Sequence, residues 1–591
     1  MTAPAQPSRE MVPTSTMPDD RATDDRASND QASKTVAERI ERHLGRLYTG
    51  RSNDELGAIR RNIVDAFALD GDRPFVGRRG LPDQSETVLI TYGDSIRRAG
   101  ADAHLQALQE LVAERFADII GTVHILPFFT SSSDGGFSIV DYRQVADGLG
   151  DWTDVSAIAA DRGLMVDLVC NHGSAQSAWF QGFLADQEPY RNWYTTADPA
   201  ADLSTVVRPR THPLLLEVET PSGPRHVWAT FSHDQVDFDF ANPDVLVEFC
   251  SIVRSYIANG ATRIRLDAIA YLWKELGTPC VHLPQTHEVV RLFRTLVDAL
   301  DEQVLLITET NVPHVQNVAY FGDGDEAQVV YNFTLAPLIV WSCLAERAAE
   351  LTGWLGRLTP LPDGCTFLNF IASHDGIGLR PIEDLVDADE LEVLLDRARE
   401  TGGDWSFYSA PGGPRPYELN VSLADLLAGS DGSTWSRFVA AHAVMLAVQG
   451  LPAFYVHSLL STPGDLDAVA RTQHKRDINR VSLDRELVDE RLADGWRADV
   501  FASLAHLIRI RRGQPAFAPT ADQIVHVLGE SVVAIERVAP GQRLLALTNL
   551  RSEPAAVDLP DWAGRHDLVA GCDRAPGEPL VLEPWASSWL V

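Results

Sequence analysis

Three short stretches place carboxylates where chemistry on a sugar could be done: Ile264-Arg265-Leu266-Asp267, Ile307-Thr308-Glu309 and Ser373-His374-Asp375. Each acid follows an apolar run with the texture of a buried strand. Breaking a glycosidic bond through a covalent intermediate needs one carboxylate as nucleophile and one carboxylic acid to protonate the departing oxygen. Asp267 and Glu309 fit those two roles. Arg265 shares its side of the strand with Asp267 by the two-residue period, so it is placed to keep that aspartate ionised through a charge-assisted hydrogen bond. Glu309 needs the reverse, a raised pKa, expected from partial burial beside the negative charge of Asp267. Asp375 supplies a second fixed negative charge for an oxocarbenium-like transition state, and His374 a donor for a sugar hydroxyl. Taken singly, each has a bland reading: R-x-D as a surface ion pair, a Glu after a strand as a helix cap, His-Asp as a plain strand end. Their order, each at the end of its own strand, is what points to a retaining glycosidase-type site.

The elements that must bring these acids together are legible as eight apolar runs, at 88–92, 123–128, 165–170, 263–269, 304–308, 328–333, 367–371 and 453–456. Helical periodicity between them predicts an α/β fold, a (β/α)8 barrel whose strands end at one mouth. The barrel is expected over 85–514, with an insertion after the third strand at about 173–235 and a second after the seventh at about 380–435, both standing over the site. Residues 35–84 carry helical spacing (Val36, Ile40, Leu44, Leu47, then Leu56, Ile59, Ile63, Phe67) and predict a helical segment packed on the barrel. Residues 1–34 read as a disordered tail, and the short alternating segments of 515–591 as a C-terminal all-β sandwich.

Composition narrows the classes. A chain of 591 residues, 45% of them hydrophobic, can bury a large core. Its formal charge of −33, with no concentrated basic face, argues against nucleic acid as a partner. Six isolated cysteines, with no CxxC pair, read as reduced buried thiols. No segment has the pattern of a secretory signal or the ~20 apolar residues of a membrane span, which leads us to expect a cytoplasmic protein without membrane contact.

Asp167-Leu168-Val169-Cys170-Asn171-His172, Arg265-Leu266-Asp267, Glu309 and His374-Asp375, in this order, resemble the four strand-end motifs of the α-amylase superfamily. Within it, His124 to Phe129, Asp134-Gly135-Gly136-Phe137, Gln235-Val236-Asp237 and Arg476-Asp477-Ile478-Asn479-Arg480 are most similar to the sucrose phosphorylase subfamily. The resemblance implies Asp267 as nucleophile, Glu309 as general acid/base and Asp375 as transition-state stabiliser. It also implies that His172, Gln235, His374 and the pair Asp134 with Arg476 hold the glucosyl unit. A salt bridge between Asp134 and Arg476 would close that end of the pocket and restrict donors to disaccharide size.

Phosphorolysis needs an anion site, for which Arg208 and Arg210, flanking Pro209, are candidates; the similar stretch in related enzymes favours Arg210. Sucrose phosphorylases carry a histidine where this chain has Asn311, and a Tyr-Gln pair where it has Tyr417-Glu418. These departures resemble the branch that includes the glucosylglycerate and sucrose 6-phosphate phosphorylases. They make glucosylglycerate the expected substrate, with Lys274, His314 and Asn311 as further acceptor contacts. Sucrose or sucrose 6-phosphate is the alternative; α-glucosidase or transglucosidase activity and a non-catalytic sugar-binding relative are the competing classes. No cofactor and no metal, calcium included, are expected, with phosphate and a small sugar as substrates and a homodimer as an allowed assembly.

Overall fold

A computed structural model describes residues 35–591 apart from 78–79, 99, 101–102, 211, 411–412, 563 and 576–578. The stretch read as a disordered tail lies outside the described residues.

Two capped helices lead the chain. In α1 (Val36–Leu47) Thr35 and Glu38 form a reciprocal capping box, and in α2 (Asn53–Ala66) Ser52 and Glu55 do the same, satisfying the amides that open each helix. Then follow eight strands, β1 (Val88–Thr91), β2 (Thr122–Ile125), β3 (Gly163–Leu168), β4 (Ala261–Leu266), β5 (Leu305–Thr308), β6 (Val329–Tyr331), β7 (Thr366–Asn369) and β8 (Leu451–Tyr455). They pair in parallel, each with its neighbours in sequence, and β8 closes on β1 through Leu89 opposite Phe454. All eight fall on the runs read from the sequence. Being covered on both faces, β1, β5, β6 and β8 are apolar almost throughout rather than alternating, whereas β2 and β4 carry buried polar residues (His124, Arg265) within the run.

Helices α3 (Pro243–Ala258) and α4 (Pro284–Asp298) carry the leading segment. The buried His43 of α1 places Nδ1 2.7 Å from Glu288 and Nε2 2.9 Å from Thr295, both on α4. An ion pair of Arg46 with Glu288 at 3.1 Å fixes the same joint.

Both excursions stand on the carboxyl side of the barrel. The first holds a hairpin (Leu215–Thr220 with Gly223–Trp228) and the short strand Gln235–Asp237, which pairs antiparallel with His172–Ser174. The second holds a helix (Ala388–Glu400) and the hairpin Asp404–Ala410 with Gly413–Asn420, whose second strand also pairs with Ile377–Gly378 just after Asp375.

At the C-terminus a six-stranded antiparallel sheet carries two apolar faces that follow the two-residue period. Val533, Ile535, Leu544 and Trp589 join the main core. Their neighbours Val532, Ala534, Leu545 and Leu590 meet the two-stranded sheet Ala555–Val557 with Leu580–Leu582 over a second small core. Among the described residues no helix is long and apolar enough to cross a membrane. Five of the six cysteines are buried, but Cys572 is exposed, because it sits on a two-residue edge strand where the sheet ends.

Candidate active site

The barrel ladder runs one residue past β4 and β5. The amide of Asp267 donates to Leu168 O at 3.1 Å and that of Glu309 to Leu266 O at 3.2 Å, so both acids emerge from adjacent strand ends into one cleft. With its open mouth the cleft encloses about 1020 Å3, and Asp375 lines it from the loop after β7. Around these three acids the lining carries Asp134, His172, Gln235, His374 and Arg476, with Arg210, Asn311 and Tyr417 also at the cleft; Arg210 shares a second hollow with Asp134, Gln235, Glu418 and Arg476. Arg265 lies behind the wall, buried beneath Asp267.

Ala268 follows Asp267 with φ of 49°, in the left-handed region that a side chain avoids. That turn aims its amide at Glu309 Oε2, 3.1 Å away. Arg265 Nη1 donates to Asp267 Oδ1 at 2.8 Å and also binds Asp167, while its Nη2 lies 3.9 Å from Glu309. Asp167 is itself held by His124 at 2.7 Å; burial alone would raise its pKa, but Arg265 and His124 bring it down to about 2.

Burial pushes Asp267 well above the ordinary carboxylate range, and Glu309, Asp167 and Asp375 add to the push while Arg265 opposes it. Burial likewise raises Glu309, against Arg265 and the Ala268 amide. The raised Glu309 agrees with the expectation from sequence. Arg265 does hydrogen-bond Asp267 as expected but does not hold its pKa down, because Asp167 takes a share of its charge and burial outweighs the rest. Six carboxyls (Asp134, Asp167, Asp267, Glu309, Asp375, Glu418) meet three buried guanidiniums (Arg265, Arg476, Arg480), and the excess falls on the Asp267–Glu309 pair. Burial and the neighbouring carboxyls thus disfavour full ionisation of the pair.

Where the glucosyl unit was expected to be held, the structure corrects the expected salt bridge. Asp134 pairs with Arg480 at 3.3 Å, not with Arg476. Arg476 instead sends Nη1 to Asp375 at 2.7 Å and Nε and Nη2 to the two oxygens of Glu418 at 3.0 and 2.7 Å. Gly135, with φ of 57°, makes the Arg480 contact accessible: a Cβ there would stand 2.6 Å from Arg480 Nη1. Burial would raise Asp375, yet Arg476, His374 and Arg480 together hold it well below the usual range. His374 is pushed down to about 3, by burial first, so it is neutral and able to donate to a hydroxyl. It stacks on Phe137, centroids 4.9 Å apart. His172 Nε2 donates to Phe137 O at 3.1 Å, and the Gln235 amide donates to Asp134 at 3.2 Å, so one polar wall spans two loops.

The other candidates separate. Arg210 lines the cleft with its guanidinium 5.8 Å from the Tyr417 ring centroid; Arg208 does not line it. Asn311 lines it and is packed against Gly378, where a Cβ would stand 2.7 Å from the amide nitrogen. His314 lies away from the lining, against Trp354 and Phe367. Lys274 is withdrawn from any acceptor: its ammonium is 2.7 Å from both Asn171 Oδ1 and Asp237 Oδ2, a cation from the chain itself between two buried oxygens. Among the described residues no group of three or more His, Cys, Asp or Glu side chains is arranged to hold a metal. Sequence reasoning gave no role to Arg480 and Glu418, although both stand in motifs it quoted; ion-pair partners across three loops leave no trace in spacing.

Residues 113–352 match the α-amylase catalytic domain family. Over 564 residues, 94% of this chain and 99% of the relative, the chain is 41% identical to a glucosylglycerate phosphorylase of Allomeiothermus silvanus. It is 44% identical over 486 residues, 81% of this chain and 83% of the relative, to a glucosylglycerate phosphorylase of Spirochaeta thermophila. A crystal structure of a sucrose 6F-phosphate phosphorylase from Thermoanaerobacter thermosaccharolyticum superposes with a TM-score of 0.70 at 24% identity, covering 80% of this chain and 95% of that one, which places the fold. By sequence and by architecture the chain belongs to the α-amylase family, within its branch of glucosylglycerate phosphorylases.

Proposed function

We propose that this enzyme is a retaining glycoside phosphorylase that converts an α-glucoside of glycerate and inorganic phosphate into α-D-glucose 1-phosphate and glycerate. The observation that carries the reading is the Asp267–Glu309 pair, two raised acids at adjacent strand ends in one cleft; the names of its relatives supply the substrate. Asp267 attacks the anomeric carbon while the Glu309 proton passes to the glycosidic oxygen. The bond to glycerate breaks and a β-glucosyl ester forms on Asp267. A phosphate oxygen then attacks the same carbon from the face glycerate vacated, the ester bond breaks and its electrons return to Asp267. Two inversions give the α product. Asp375 offers its charge to the oxocarbenium-like transition state, while Asp134, His172, Gln235, His374 and Arg476 grip the glucosyl hydroxyls.

Arg210 is the phosphate seat in this reading, because among the described residues no carboxylate lies within ion-pair distance of it, whereas Arg476 is spent on Asp375 and Glu418. Asn311 and Tyr417 face the acceptor. Every step uses the chain's own side chains and its two substrates, so no cofactor enters. The test is the reverse reaction, in which α-glucose 1-phosphate is offered with glycerate, fructose, fructose 6-phosphate or glycerol and released phosphate is followed. Glycerate is expected to drive release. Release independent of acceptor would make the enzyme a hydrolase, and release with fructose 6-phosphate or fructose alone would move it to the other branches.

A further inference from the structure

Among the described residues two guanidiniums line the cleft, Arg210 and Arg476, and of these Arg476 is already paired with carboxylates. Glu418 caps Arg476 in the side-on, two-bond geometry in which a guanidinium also takes phosphate, Nε at 3.0 Å and Nη2 at 2.7 Å. Its side chain is 4% exposed, and its strand pairing with Gly378 fixes its place beside Asp375. Gly376 leaves the space: a Cβ there would stand 2.6 Å from Glu418 Cγ. Glu418, Arg476, Asp375, Arg480 and Asp134 thus form an alternating row that ends in a carboxylate at each side. Such a row repels a free dianion and suits neutral sugar hydroxyls.

We infer that Glu418 is a built-in anion that occupies the anion-accepting edge of Arg476, so that phosphate settles at Arg210 and not on the neighbouring Arg476 guanidinium. Glu418 is a positioning residue, acting through Arg476. Its effect rests on the phosphorylase reading for its purpose but not for its chemistry. Glutamine at this position keeps the size but removes the charge that holds the side chain on Arg476, so that phosphate can displace it from the guanidinium.

Calorimetric titration of inorganic phosphate into the full chain tests this, in an Asp267→Asn background that prevents turnover. Asp267→Asn alone is expected to bind one phosphate per chain, lost on adding Arg210→Ala. Adding Glu418→Gln instead raises the stoichiometry to two. The second phosphate survives Arg210→Ala and disappears with Arg476→Gln. Glu418→Asp, which keeps the charge, stays at one, and Glu418→Ser provides a second uncovered variant should the glutamine form not fold. Folded Glu418→Gln and Glu418→Ser proteins that still bind a single phosphate would overturn the inference. A background that binds no phosphate, with one gained on Glu418→Gln in an Arg476-dependent way, would support the role of Glu418 and overturn Arg210 as the seat.

Discussion

Replacing Glu309 by glutamine separates acid catalysis from everything else in the site. The amide keeps an oxygen for the Ala268 N–H, now 3.1 Å from Oε2, so the turn behind Asp267 has no reason to move. What is lost is the ionisable proton of a carboxyl whose pKa burial raises. General acid help to a poor leaving group is worth about 10²–10⁴ in rate, which is about 3–5.5 kcal/mol of barrier at 1.36 kcal/mol per decade. An alkoxide leaving from glucosylglycerate needs all of it. A 2,4-dinitrophenolate needs almost none, so kcat/KM for the dinitrophenyl α-glucoside should fall less than about tenfold by the same arithmetic. The second step divides in the same way, because phosphate arrives as an anion and water does not. Glu309→Gln with the activated donor should still yield glucose 1-phosphate while hydrolysis fails. Chromogenic rates for the first donor and coupled glucose 1-phosphate assays for both provide the comparison. Equal losses on both donors would refute Glu309 as the acid.

Asp167→Asn leaves Arg265 to Asp267 and Glu309 and removes a buried charge that pushes Asp267 upward, so the acid limb of kcat/KM moves to lower pH; a move to higher pH contradicts the proposed sharing. Lys274→Met strands Asp237, fully buried and 2.7 Å from the lost ammonium, at a cost of about 3–5 kcal/mol. Urea unfolding should show that loss, and adding Asp237→Asn should recover part of it; a single variant as stable as its parent would contradict the assignment. Glu288, where burial is outweighed by His43, Arg46 and Arg291, is lowered from 4.5 to about 2. Its contribution is therefore complete above about pH 4.5 and lost as pH falls toward 2, about 2 kcal/mol of it by pH 3. Glu288→Gln should flatten stability over that range, and an unchanged slope would place the titration elsewhere.

The barrel was legible because its strands are buried on both faces and read as largely apolar runs, broken by single polar residues such as Asp167 and Arg265, and because the excursions break the spacing where no crossover helix needs that length. The acids were legible for a related reason: a polar residue at the end of such a run has nowhere to go but the mouth. Pairings across loops were not. Whether Asp134 meets Arg476 or Arg480 depends on a left-handed turn at Gly135 that clears the way for one guanidinium, and nothing in the order of residues states which. Lys274 followed a catalytic motif and looked available, but its four-carbon stem reaches back to Asn171 and Asp237. The proton balance of Asp267 escaped for the same reason, since Asp167 sits on a neighbouring strand and draws on the same arginine.

The central claim, that phosphate and not water collects the glucosyl unit with retention, is tested by following glucosylglycerate and inorganic phosphate with this enzyme by proton and phosphorus NMR. Doublets of α-glucose 1-phosphate appearing in step with free glycerate are the predicted result. Free glucose in place of the phosphate ester, or the β-anomer of glucose 1-phosphate, would contradict the account.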